Sequence, residues 1–114
     1  DALEQDGISV EVIDPRTLVP LDVDLILESV ARTGRLVVVD PAHRTCGAAA
    51  EISAIVAEEA FGALQAPIVR VTTPDTQIPF SPALEKQLYP AADDITAAVH
   101  RVVGARRPEL VQAR

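Results

Sequence analysis

The sequence predicts an α/β domain of three layers, helices on both sides of a mostly parallel sheet. Two observations carry this. Apolar β-branched runs of strand length alternate with segments of helical periodicity. One of those runs, Leu36-Val37-Val38-Val39, lacks any polar alternation, so it is expected to be buried on both faces, as in a parallel sheet. A short polar stretch, Asp40 to Thr45, then leads into small residues suited to a helix start. In such folds ligands sit in loops at the carboxyl ends of strands.

Asp1 to Asp6 reads as the last turns of a helix stopped by Gly7. Ile8 to Ile13 alternates apolar and polar, which predicts a strand, and Asp14-Pro15 breaks it. Asp22 is the expected N-cap of the next helix, with Leu21 and Ile26 placed as a hydrophobic staple. Val23, Ile26, Leu27 and Val30 form one apolar stripe, and Gly34 ends the helix. A strand over Arg35–Asp40 follows. After the loop Pro41 to Arg44, Thr45 is expected to cap a helix running to about Leu64, with Ile52, Ile55 and Val56 on its buried face. Ile68–Thr72 predicts a third strand. Thr73 to Pro82 is an ordered loop holding Ile78 and Phe80, and Ala83–Tyr89 forms a turn or two of helix. A final helix begins at Asp93 or Asp94 and ends at Gly104. We expect residues 1–104 to form one domain and 105–114 a tail.

Composition narrows the function. The chain has 114 residues, 48% of them hydrophobic, which suits a packed domain. The net charge of −7 argues against nucleic acid, since phosphate binding needs clustered Lys and Arg. No apolar run approaches the roughly 20 residues that cross a bilayer, so no membrane role is expected. The single cysteine, Cys46, excludes an intrachain disulfide and suggests a reducing, cytoplasmic setting. The chain starts at Asp1 and has no methionine, so we expect a piece of a longer product.

Candidate chemistry gathers at His43, Arg44, Thr45, Cys46 and Gly47. A helix start attracts anions, and His43 with Arg44 can complete a phosphate or carboxylate site. The same residues serve equally as polar interface contacts. Cys46 beside a helix start has the setting of an activated thiol with His43 as base, yet no third orienting group is apparent. Caps and turns account for Asp14, Asp22 and Asp24. His43 and His100 lie far apart, without metal-ligand spacing. No catalytic, cofactor-binding or metal-binding residue is assigned.

Three stretches in order, GISVEVIDPRTLVPLD, ILESVARTGRLVVVDPAHRTCGAAAEI and APIVRVTTPDTQIPFSPALEKQLYP, resemble the C-terminal domain of the beta subunit of thiamine-diphosphate-dependent 2-oxo acid dehydrogenases (the E1 component). The resemblance runs from about Gly7 to Val103. It implies a transketolase C-terminal-like fold, here lacking its first strand and most of its first helix. It also implies a role in subunit assembly within an oxidoreductase that decarboxylates a 2-oxo acid and passes the acyl group to lipoyl-E2. The expected partners are the E1 alpha subunit or domain, a second E1 beta, and the basic peripheral subunit-binding domain of E2. Thiamine diphosphate and Mg²⁺ would be held by other domains, and this chain alone would not be catalytic. An exposed sheet edge and self-association follow if the first strand is missing. The alternative function is a small-anion regulatory module at residues 43–47. Thr45-Cys46-Gly47 departs from the Gly-rich turn common in the family, and Gln77 replaces a proline in its PDTPxPF loop.

Overall fold

The computed structural model describes residues 2–105. In chain order they form α1 (Ala2–Gln5), α2 (Val23–Thr33), β1 (Val37–His43), α3 (Ala48–Glu59), a 3₁₀ turn (Phe61–Ala63), β2 (Val69–Thr73), α4 (Pro82–Glu85) and α5 (Ala92–Gly104). The strands pair in parallel, with Val37 opposite Val69 and Asp40 opposite Thr72. Helices α2 and α3 lie to one side: Val38 joins Ile26 and Val30 of α2 and Ala49, Ile52 and Val56 of α3 in one buried cluster. Helix α5 packs on both strands and buries Ala98, Val99 and Val102, which fall outside that cluster. The layered α/β arrangement is the expected one.

Helix α2 follows its sequence closely. The Asp22 carboxylate accepts from the Leu25 N–H at 3.1 Å, satisfying one of the donors a helix start leaves open. Gly34 closes the helix with φ 68°, and its N–H donates to the Val30 carbonyl at 2.8 Å. Glycine is needed at that left-handed position.

Strand β1 runs past the expected end at Asp40, through Pro41, to His43. Pro41 has no N–H to give a ladder, and the register shifts between Asp40 and His43, a bulge that accommodates it. Opposite the bulge, the fully buried Thr73 donates its hydroxyl to the Pro41 carbonyl at 2.7 Å. Burial on both faces of Leu36–Val39 does not hold throughout. Val38 is buried but Val39 is 44% exposed, because only two strands form the sheet among the described residues and α5 covers part of it.

Four other expectations need correction. Ile8–Ile13 is extended but joins no ladder, and Val12 is 86% exposed. What holds this segment is a side chain: Glu11 accepts from the Ser29 hydroxyl and the Arg32 guanidinium, both at 2.6 Å, pinning it beside α2 rather than beside a strand. Helix α3 starts at Ala48 with Gly47 as N-cap, not Thr45, and stops at Glu59 before the 3₁₀ turn. Ile78 and Phe80 do not fill a loop core; Phe80 is fully exposed. Helix α5 begins at Ala92, one or two residues before the expected Asp93 or Asp94, and ends at Gly104 as expected. Of the expected tail, residues 105–114, all but Ala105 lie outside the described residues.

Candidate functional site

Both parallel strands end on the same side, and the loops that leave them are tied together. The Arg44 N–H donates to the Thr73 carbonyl at 3.0 Å, extending the ladder past β1. His43 Nε2 lies 3.0 Å from the Thr76 carbonyl. Thr45 donates its N–H and hydroxyl to the two Asp75 oxygens, at 2.9 and 2.6 Å. These bonds hold the Asp75 carboxyl below its usual range: the Thr45 hydroxyl is the largest influence, then the Thr45 N–H, with His43 and Arg44 adding smaller attractions. His43, Arg44, Thr45 and Cys46 are all exposed.

The start of α3 already carries an anion from within the chain. Asp40 reaches forward from β1, one carboxylate oxygen accepting from the Ala49 N–H at 3.0 Å and the other from the Ala42 N–H at 2.9 Å. A negative group is favoured there by the open N–H groups and the helix dipole. Gly47 makes this geometry possible, since a Cβ at that position would stand 2.5 Å from the His43 carbonyl oxygen and 3.2 Å from the Asp40 carboxylate. The structure thus brings His43, Arg44, Thr45 and Gly47 into one loop cluster, where Thr45 serves Asp75 and the helix start serves Asp40. An incoming phosphate at α3 would meet the Asp40 carboxylate.

Cys46 stands in the left-handed region, φ 60°, in this same turn. Its thiol is exposed, and the hydrogen bonds of the cluster run through its neighbours. Sequence reasoning found the loop but missed Asp40 and Asp75. Asp40 was hidden by its position at a strand end, nine residues before the helix N–H that it caps. Asp75 lies in the proline-rich loop thirty residues from Thr45, and only the pairing of the strands brings the two together.

The surface away from this loop is unusually apolar in places. Val12 and Val19 are 86% and 93% exposed, and Leu18 and Leu25 are also exposed. After β2, Ile78, Phe80 and Leu84 form a second exposed apolar stretch.

A family model described as "Transketolase, C-terminal domain" matches residues 1–95. The chain belongs to the transketolase C-terminal domain family. Among curated relatives, it is similar to the acetoin:2,6-dichlorophenolindophenol oxidoreductase subunit beta of Cupriavidus necator, at 52% identity over 101 residues. That match covers 89% of this chain and 30% of the relative. The corresponding subunit of Bacillus subtilis is 45% identical over 102 residues, covering 90% of this chain and 30% of the relative. The Bacillus subtilis pyruvate dehydrogenase E1 component subunit beta is 45% identical over 103 residues, covering 90% of the chain and 31% of the relative. The chain therefore spans about 30% of the length of these curated relatives.

The resemblance raises thiamine diphosphate, and the residues of this transketolase C-terminal domain do not suit it. A diphosphate with its divalent cation needs converging carboxylate or carbonyl ligands and free amide donors. Among the described residues no group of three or more His, Cys, Asp or Glu is placed to hold a metal ion. The one long-helix start at the strand ends is already filled by Asp40. Nor is any helix of the described residues long and apolar enough to cross a membrane.

Proposed function

We propose that this chain is the assembly and docking domain of the beta subunit of a thiamine-diphosphate-dependent 2-oxo acid dehydrogenase E1 component, acting in the cytoplasm. In the parent enzyme a 2-oxo acid is oxidatively decarboxylated and the acyl group passes to lipoyl-E2. Residues 1–104 form the domain, with 105–114 a tail. Thiamine diphosphate and Mg²⁺ are held by other parts of the parent, and the fragment makes no bonds itself. The partners are the E1 alpha subunit, a second beta subunit and the basic peripheral subunit-binding domain of E2, for which a chain of net charge −7 is a suitable surface.

The observation that carries this reading is the exposed apolar surface, led by the fully exposed Phe80 and by Val12 and Val19, on a chain whose relatives are named as beta subunits. His43, Arg44, Thr45, Cys46 and Gly47 then act as a rigid, hydrogen-bonded loop at an interface. Titration calorimetry with thiamine diphosphate and Mg²⁺ tests the division of labour. The 114-residue chain is expected to give no saturable heat, and micromolar binding would contradict the reading. The docking half is tested by calorimetry with the isolated peripheral subunit-binding domain and the full-length beta dimer, where no binding at low salt would refute it.

A further inference from the structure

The outer edge of β2 carries a groove that the assembly reading leaves unused. Backbone groups of Val69 and Thr73 face β1: the Val69 N–H donates to the Leu36 carbonyl at 3.2 Å, and the Thr73 carbonyl accepts from Arg44. By the alternation of a parallel ladder, Arg70 and Thr72 turn their N–H and C=O groups outward. No strand meets them among the described residues. This edge forms part of the wall of a groove of 510 Å³, with Tyr89 and α5 opposite.

The charge of the groove runs against that of the protein. Among the described residues Arg16 pairs with Asp14, Arg32 pairs with Glu11, and Arg35 donates to the Val102 carbonyl. Arg44, Arg70 and Arg101 make no ion pair within 4 Å among those residues, although Arg44 attracts Asp75 from further off, and all three line this one groove. Arg44 and Arg70 are held by donating to each other's backbone carbonyls, at 3.4 and 3.1 Å. Asp94 also lines the groove, but its carboxylate accepts from the Ala91 N–H at 3.0 Å. An edge strand is a template for a further strand, and here the Arg70 and Thr72 N–H groups and the Thr72 carbonyl face outward while the Arg70 carbonyl accepts from Arg44. Unpaired guanidinium groups beside it select the sign of what binds.

We propose that this groove takes an extended acidic segment of a partner protein, which adds a strand to β2 and sets its carboxylates against Arg70 and Arg101. Two other occupants fit less well. Residues 106–114 carry three arginines and one glutamate, the wrong sign for an arginine-lined groove. A second copy joined edge to edge through β2 would bring two arginine-lined edges together, and like charges across a strand pair destabilise it. The proposal is independent of the identity of the parent enzyme.

The test uses the 114-residue chain and an end-blocked octapeptide of alternating Val and Glu, followed by fluorescence anisotropy and amide NMR. The acidic peptide is expected to bind, to shift the Arg70 and Thr72 amides, and to weaken at least about tenfold with Arg70→Glu plus Arg101→Glu. Copies of the peptide N-methylated at alternate residues, in the two possible registers, leave the protein untouched. One register is expected to lose binding, because its N–H groups can no longer pair with the edge. No binding by the acidic peptide overturns the proposal, as does equal binding by the Val-Lys counterpart. Equal binding by both N-methylated registers, or full displacement by inorganic phosphate with the same shifts, would reveal a small-anion site instead of a strand-docking edge.

Discussion

Asp40→Ala is the perturbation that asks most of this structure. Its carboxylate accepts two backbone N–H bonds, from Ala49 at the start of α3 and from Ala42 in the bulge. Loss of a helix cap costs about 1 kcal/mol, and a hydrogen bond to a charged group is worth about 1.5–3 kcal/mol when its partner is left open. Asp40 is half-exposed, so water recovers part of this, and we expect a loss of about 2–3 kcal/mol for the pair. Asp40→Asn keeps one acceptor and should lose about 1 kcal/mol. Urea unfolding with an unchanged m-value is the assay. The alanine variant also opens the helix start to a free anion. Phosphate at ten times its dissociation constant should then return about 1.4 kcal/mol, beyond any response of the wild type at matched ionic strength. A loss below about 0.5 kcal/mol, within the range of ordinary surface changes, would refute the cap. So would identical phosphate responses in the two proteins.

The other predictions concern the same loops. Cys46→Gly should stabilise by about 0.5–1 kcal/mol in urea unfolding, because the left-handed strain that it relieves (about 1–2 kcal/mol) exceeds the entropy that glycine adds to the unfolded chain; destabilisation would contradict the φ of 60°. Gly47→Ala should destabilise by about 2 kcal/mol in the same assay, since its Cβ meets the His43 carbonyl. The lowered Asp75 and Glu11 carboxyls set a pH dependence, with Glu11 held down first by the Ser29 hydroxyl and then by Arg32. A depressed carboxyl stabilises the fold above its unfolded value and loses that contribution as the pH falls below about 4, through the folded value. Carboxyl NMR titration should show both resonances moving at lower pH than free carboxylates, and Asp75→Asn should flatten the acid limb of the stability curve.

Local signals were legible where the partners of a residue lie close in sequence. Asp22, three residues before Leu25, and Gly34, four after Val30, bracket α2 because capping is a local interaction. The run Leu36–Val39 announced a strand whose end lies three residues beyond the expected Asp40, past Pro41, and Ile68–Thr72 announced its neighbour to within one residue. The cap of α3 was not legible, because Thr45 is a good cap by type but its hydroxyl is claimed by Asp75, thirty residues away. Ile8–Ile13 has the pattern of a strand and lacks a ladder, since alternation reports a tendency to be half-buried while pairing needs a free edge alongside. The bond from Glu11 to Ser29 and Arg32 fixes it elsewhere. Ile78 and Phe80 misled in the opposite sense: apolar residues in a loop suggested a local core, whereas Phe80 stands wholly in solvent. Apolar character alone does not place a side chain in a local core. The three-arginine groove had no sequence signal, because Arg44, Arg70 and Arg101 meet only once β2 and α5 are packed.

Hydrogen exchange of the proposed parent beta subunit, free and mixed with the alpha subunit that the proposal assigns to it, reads the exposed apolar faces directly. Protection should rise over Val10–Val19 and Ile78–Leu84 on assembly, while added thiamine diphosphate leaves His43–Gly47 unchanged. Faces that stay unprotected in the complex, together with cofactor-dependent protection at His43–Gly47, would show a ligand-binding domain instead.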